Sequence, residues 1–279
     1  MDFGAFVIKN ESIVRASIFF GVLIIMGIWE VAAPRRKPTL SKAYRWVNNL
    51  GLTFFNGFFM KVIFPIASTG IAITAYQNGW GVLRYFEVPS VLSVILFIVV
   101  MDMIIYFQHI MMHAVPLFWR LHRVHHADLN YDTTTGARFH TIEIILSMFI
   151  KFIAIVLLGP SVLAVILFEI TLNATAMFNH GNVKLPKTLD KILRWLIVTP
   201  DMHRVHHSVE KDETNSNFGF NLSIWDRIFG TYRQNVRAGQ LNMTIGLKNI
   251  RKPKDTNMIL GIFLIPFKSY GNKYAINSK

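Results

Sequence analysis

Five stretches of this chain are nearly free of charge and long enough to cross a bilayer, and no other feature narrows its possible folds as much. They fall at about 13–33, 50–76, 89–108, 142–158 and 161–178. A helix of roughly 20 apolar residues spans the hydrocarbon core, and every backbone polar group must then be satisfied within the segment. The first stretch, IVRASIFFGVLIIMGIWEVAA, is followed by PRRK and by no small-residue cleavage site, so it reads as a span and not as a removed leader. The fourth and fifth are separated by Gly159-Pro160, a tight hairpin turn. Composition agrees: 52% of the 279 residues are hydrophobic and 16% are charged, against roughly 25% in a soluble domain. The fold expected is all-α: an integral membrane bundle of four to five transmembrane helices with a helical cytosolic cap, in a single domain over residues 1–279. The cap comprises about 109–140 and 179–279.

Charge sets the orientation. Residues 34–46, PRRKPTLSKAYRW, hold five Lys or Arg and no acid, whereas 77–88 hold one Arg and one Glu. The positive-inside rule places the first loop in the cytoplasm and the second outside. Counting onward puts every histidine at or beyond the cytoplasmic face. The net charge of +13 is scattered among apolar spans, which fits anionic headgroups and gives no nucleic-acid-binding face. Charges within spans are costly and seek partners. Lys151 and Glu169 lie at similar depth either side of the hairpin turn, and Lys61 and Asp102 either side of the external loop, so each pair is expected to approach. The apolar run NMILGIFLIPF (257–267) is too short to span and reads either as an interfacial helix on the membrane or as a helix packed on the cap.

The ten histidines all fall between 109 and 207, and the pentapeptide HRVHH occurs twice, at 122–126 and 203–207. His109 and His113 are four apart on a helix end, so both rings face one way. His122 with His125 and His126 repeats that geometry, as does His203 with His206 and His207. His140 and His180 stand alone, each at the cytoplasmic end of a span, where they can close the shell. A mononuclear zinc site takes three or four protein ligands; eight to ten rings suit two ions. The chain has no cysteine, so thiolate ligands, disulfides and a cysteine nucleophile are excluded. HExxH is also absent. An all-nitrogen site for two metals is best explained by iron doing oxygen chemistry, with zinc able to substitute in purified protein. Ligating histidines usually donate their outer N–H to a carboxylate or carbonyl. Asp102 and Tyr106 share a helical stripe with His109 and His113, and Glu143 follows His140 by three residues. These are candidates for that supporting role, with Asp226, Asp201 and Glu213 behind them. Trp119, Phe139, Phe178 and Trp225 are aromatic candidates to line an approach to the metals.

These boxes, HIMMH (109–113), HRVHH (122–126) and HRVHH (203–207), with flanking DMIIYFQH, PLFWRLHRVHH, RFHTIE, VTPDMHRVHHS and NFGFNLSIWDRIFGTYR, resemble the fatty acid hydroxylase/sterol desaturase superfamily of integral-membrane di-iron enzymes. The likeness covers about 90–235 and is greatest to compact bacterial members. It implies two iron ions held by His109, His113, His122, His125, His126, His203, His206 and His207, often with further histidines at the positions of His140 and His180. Where the family often has proline after the former, this chain has Thr141. The resemblance implies hydroxylation or desaturation of a long-chain membrane lipid by O2 and two electrons. No GxGxxG fingerprint appears, so a separate ferredoxin-like or cytochrome-like donor with a reductase is expected. Hydroxylation is favoured over desaturation, in a bacterial inner membrane or, for a eukaryotic chain, the endoplasmic reticulum. A di-zinc membrane hydrolase is the distant alternative.

Overall fold

The computed structural model describes residues 2–271 and 273–277. Among them no β-strand forms; the backbone is helical apart from isolated bridges and loops. A short α1 (Phe3–Lys9) leads into α2 (Glu11–Ala32), and five more apolar helices follow: α3 (Lys42–Ile63), α4 (Ser68–Gln77), α5 (Ser90–Ala114) and, after the cap helix α6 (Pro116–His126), the pair α7 (Thr141–Leu158) and α8 (Val162–Asn179). Five segments are long and apolar enough to cross a membrane, one of them made of α3 and α4 together. The protein is an integral membrane protein. Its lipid-facing surface is visible on α2, where only Leu23, Met26 and Glu30 are buried and Ile24, Ile25 and Ile28 are exposed.

Three features differ from the sequence reading. The span at 50–76 is not one helix: α3 stops at Ile63 and α4 starts at Ser68. Pro65 has no N–H to donate and pushes Phe64 out of the helical region, so the helix must end there. The helix that carries the third span continues past 108 without a break to Ala114, so His109 and His113 stand on its last turns. Lys61 and Asp102 do not pair. Asp102 instead accepts from the backbone N–H groups of Asn221 and Leu222 and from Trp225 Nε1. The break at Pro65 redirects the chain between them and removes the symmetric hairpin that the pairing assumed.

The α7–α8 hairpin turns at Gly159, whose φ of 65° is left-handed and whose Cα packs on Gly81; a Cβ there would lie 2.2 Å from the Trp80 carbonyl. Ser161 caps α8. Across this hairpin Lys151 meets Glu169 at 3.0 Å, joined by Arg15 at 2.9 Å and Ser68 at 2.8 Å. The bundle core is Phe97, Met101, Ile105, Ala154, Ile155, Val165 and Phe168. The segment 257–267 forms a helix, α10 (Ile259–Leu264, numbered after the cap helix α9 described below), and one 3-10 turn. Ile262 and Ile265 pack with Leu52, Trp119 and Val124 beneath the cap, while Leu260, Leu264 and Phe267 stay exposed. It therefore has two apolar faces, one packed on the cap and one open.

Candidate metal centre

Four chain segments carry nine of the ten histidines: the end of α5, the helix α6, the turn after α8, and α9 (Pro200–His206) with its C-cap His207. Prolines 116 and 200 stand in the first turns of α6 and α9, where a missing N–H costs nothing, so each HRVHH falls on a short helix of fixed start. The ends of α8 and the 133–137 turn approach closely because residue 136 is glycine: a Cβ there would meet the Ala176 carbonyl at 2.4 Å.

Nine of the ten rings converge in two groups. His109, His113, His122, His126 and His206 form one; His125, His180, His203 and His207 form the other. Within each, one ring nitrogen per residue lies within 4.8 Å of all the others, and every residue is buried. The groups abut, with His126 stacked on His207 at 4.6 Å and His203 stacked on His206 at 5.0 Å. His140 is not brought to either group. It is the N-cap of α7, where its Nδ1 accepts from Ile142 N–H, and its ring packs between Phe263 and Phe267. Capping the helix aims it away from the centre, so the ligand role expected for it has no support in this geometry.

Outer contacts fix how the rings are protonated. His109 Nδ1 faces the Phe218 carbonyl at 2.9 Å and His122 Nδ1 faces Glu143 at 2.6 Å. Both partners only accept, so each Nδ1 carries the hydrogen. The two Nε2 atoms, 3.1 Å apart, then face each other lone pair to lone pair. His113 and His126 repeat this at 3.1 Å. There Asn215 donates its amide to the Tyr274 carbonyl, which turns its oxygen toward His113 Nδ1. His180 donates to Ala176 O and its Nε2 lies 3.1 Å from His125 Nε2. His206 donates to Ser216 O, and its buried Nε2 has no protein partner, nor has either nitrogen of His203 or His207. Burial, reinforced by the neighbouring imidazoles, pushes His125, His126, His203, His206 and His207 well below the ordinary imidazole value. Neutral rings with lone pairs converging on a dry centre repel one another unless cations lie between them. The donor set is all nitrogen and too numerous for a single ion, so the residues fit two metals of the kind imidazole prefers.

The supporting carboxylates act at different removes. Glu143 touches His122 directly. Asp226 accepts from Phe218 N–H, Gly219 N–H and Thr231, and so holds the loop whose Phe218 carbonyl accepts from His109. Tyr106 bonds Thr231 in the same cluster. Asp102 holds the next stretch, 221–225, and touches no histidine; Asp201 pairs with Arg35 and Glu213 accepts from Ser208. The backbone carbonyls of Ala176, Ser216 and Phe218 and the side chain of Asn215 went unread in the sequence. A carbonyl carries no residue signature, and the only hint was the Asn-rich NSNFGFN stretch, where Asn217 adopts a φ of 51°.

A cavity of about 580 Å³ runs between the helices from Arg15, Lys151 and Glu169 up to Phe139 and Glu143. Phe139 stacks on His125 at 4.6 Å and faces His122, so one ring separates cavity from centre. Trp119 and Trp225 instead pack in the core, and Phe178 is absent from the lining.

Residues 94–231 match the family model for fatty acid hydroxylase. The chain is 27% identical over 225 residues to an alkylglycerol monooxygenase of Xenopus tropicalis, covering 78% of this chain and 47% of that protein. It is 24% identical over 272 residues to the ornithine lipid hydroxylase OlsE of Rhizobium tropici, covering 94% and 78%. Against the human alkylglycerol monooxygenase it is 28% identical over 169 residues, 58% of this chain and 36% of that one. The chain thus spans about half or less of the alkylglycerol monooxygenases it matches. No solved structure matches it. With all three histidine boxes inside the matched region, the chain belongs to the fatty acid hydroxylase superfamily.

Proposed function

We propose that this protein is an O2-dependent hydroxylase of a long-chain polar lipid, with two iron ions held by His109, His113, His122, His126 and His206 on one side and His125, His180, His203 and His207 on the other. The observation that carries this reading is the set of nine buried rings in two groups, six of them meeting pairwise through Nε2 at 3.1 Å and three offering nitrogens with no protein partner, at the head of a cavity between the apolar helices. Bound iron would supply the oxygen activation that breaks an unactivated C–H bond. The chain's own residues do the rest. The cavity between α3, α5, α7 and α8 admits an acyl chain from the bilayer, and Phe139 sets where that chain stops. Glu143 holds His122 in the tautomer that turns Nε2 inward. Full burial of the rings keeps water out. The overall reaction takes R–H, O2, two electrons and two protons to R–OH and water. Relatives named for acting on an alkylglycerol and on an ornithine lipid support a lipid with a polar head as substrate. The basic loop at 34–46 supports a cytoplasmic centre, in a bacterial inner membrane.

Mass spectrometry of total lipids from cells with and without the intact gene, grown under oxygen-18 gas, tests this. A product gaining one labelled oxygen is expected. A product lacking two hydrogens instead would make the enzyme a desaturase, and an oxygen-independent activity with zinc alone would make it a hydrolase.

A further inference from the structure

A second concavity, of about 270 Å³, opens between residues 36–45 and 242–251. Its lining includes Tyr131, which is buried and whose ring lies 5.0 Å from His207 and 5.4 Å from His180. The membrane cavity reaches His122 and His125, one from each group, through Phe139; this pocket reaches the His180–His207 side of the second group through a different ring. Its walls carry Arg36, Lys37, Lys42, Arg45 and Arg251 against Glu30 and Asp132. Both carboxylates are already neutralised: Glu30 by Lys42 at 2.8 Å and Asp132 by Arg45. Among the described residues no carboxylate pairs with Arg36, Lys37 or Arg251. Arg36 and Arg251 are pinned at 2.6 Å to the carbonyls of Met243 and Ile245, which holds their charges in place. The basic rim continues through exposed Lys252 and Lys254.

We propose that this pocket is the docking site of an acidic one-electron carrier protein, which reduces the centre through the His180–His207 side while lipid occupies the membrane cavity. This rests on the hydroxylase reading above. Each turnover oxidises two carriers by one electron each; the two electrons and two protons reduce one oxygen atom of O2 to water, and the other enters the alcohol. A basic surface one aromatic ring from the histidines brings the donor close and steers an acidic protein by long-range attraction. Headgroup binding alone would account for the charge but not for a floor that touches the centre.

The test uses the iron-loaded full chain in nanodiscs of zwitterionic lipid and a reduced plant-type [2Fe–2S] ferredoxin as the acidic probe. Binding is followed by carbodiimide cross-linking and by titration, and electron transfer by stopped-flow ferredoxin oxidation. Wild type is expected to bind saturably at low salt and to lose binding as salt rises. Lys37→Glu/Arg251→Glu is expected to weaken binding and slow ferredoxin oxidation at least about tenfold, with dithionite reduction unchanged. Lys187→Glu/Lys191→Glu, on a helix outside the pocket, is expected to behave as wild type. No saturable binding by wild type, equal loss in both double variants, or loss confined to phosphatidylglycerol vesicles would each overturn the proposal. Failure of dithionite to reduce any bound metal would instead strike the hydroxylase reading, while the cross-linking result still judges the docking site.

Discussion

Glu169 stands near the middle of α8, and three groups share its carboxylate: Lys151 at 3.0 Å, Arg15 at 2.9 Å and Ser68 at 2.8 Å. Arg15 has a second acid, Glu11, at 2.8 Å; among the described residues Lys151 has no other ion pair. This arrangement makes the two ends of the Lys151–Glu169 pair unequal. Glu169→Gln leaves two cations facing each other within the bundle, and breaking a buried pair in that way costs about 3–5 kcal/mol. Lys151→Met leaves Glu169 with Arg15 and Ser68, so the loss is one charge-assisted hydrogen bond, about 1.5–3 kcal/mol. In Lys151→Met/Glu169→Gln, Arg15 still holds Glu11, so the double change should cost less than the sum by roughly 1–3 kcal/mol. At about 2–4 °C per kcal/mol, Glu169→Gln lowers the apparent Tm by roughly 6–20 °C and Lys151→Met by roughly 3–12 °C. The assay is residual monodisperse protein after heating in one detergent, read by size-exclusion chromatography. The reasoning is refuted if Lys151→Met is at least as damaging as Glu169→Gln, or if the two changes simply add.

Metal analysis of the purified chain should find two ions; His125→Ala and His206→Ala should each reduce the content by drawing on different groups, whereas His140→Ala should leave it unchanged. Glu143→Gln should weaken metal affinity about 10–100-fold by loosening His122, as measured by chelator competition. Burial pushes the Asp226 carboxyl up to about 6 from an ordinary 3.8, so between those values the folded state holds more protons than the unfolded one. Stability should therefore fall as pH rises through that window, by up to roughly 3 kcal/mol, and Asp226→Asn should flatten the fall when Tm is compared at both ends.

The spans and the histidine boxes could be read because each depends on local spacing. A run of apolar residues, or rings three and four apart, has its meaning before any tertiary contact forms. The hairpin pairing of Lys151 with Glu169 was legible for the same reason, since both residues are counted from one turn. Lys61 with Asp102 failed because the count passed through Pro65, where the path bends. His140 stands apart from both groups for a subtler reason. It has the residue type of a ligand and stands beside the centre in sequence, but its backbone is the N-cap of α7, and a capping geometry commits the side chain to the helix's own N–H groups. Nor could the sequence say how the histidines divide. Adjacent His125 and His126 serve different groups, as do His206 and His207, because neighbours on a helix point about a hundred degrees apart.

The buried arginines explain how so irregular a cap can hold so dry a centre. The described cap helices are short, and several loop carbonyls near the histidines accept from side chains. Buried carbonyls left unpaired are costly. Arg123, next to His122, donates to the carbonyls of Ile265, Lys268 and Gly271 and so ties the C-terminal segment to the first HRVHH. Arg204, next to His203, donates to Gly181 O and pairs with Asp201, which ties the second HRVHH to the end of α8. Arg138 reaches Val124 O between the histidines of the first box. The arginine inside each repeated pentapeptide thus does for loops what a sheet ladder does for strands. A planar fork with five donors can serve several carbonyls at once, where a lysine at the same position offers a single point of contact. Part of the chain's positive charge is therefore turned inward as structure, while part of the remainder lines the pocket at Arg36, Lys37 and Arg251 and continues to exposed Lys252 and Lys254.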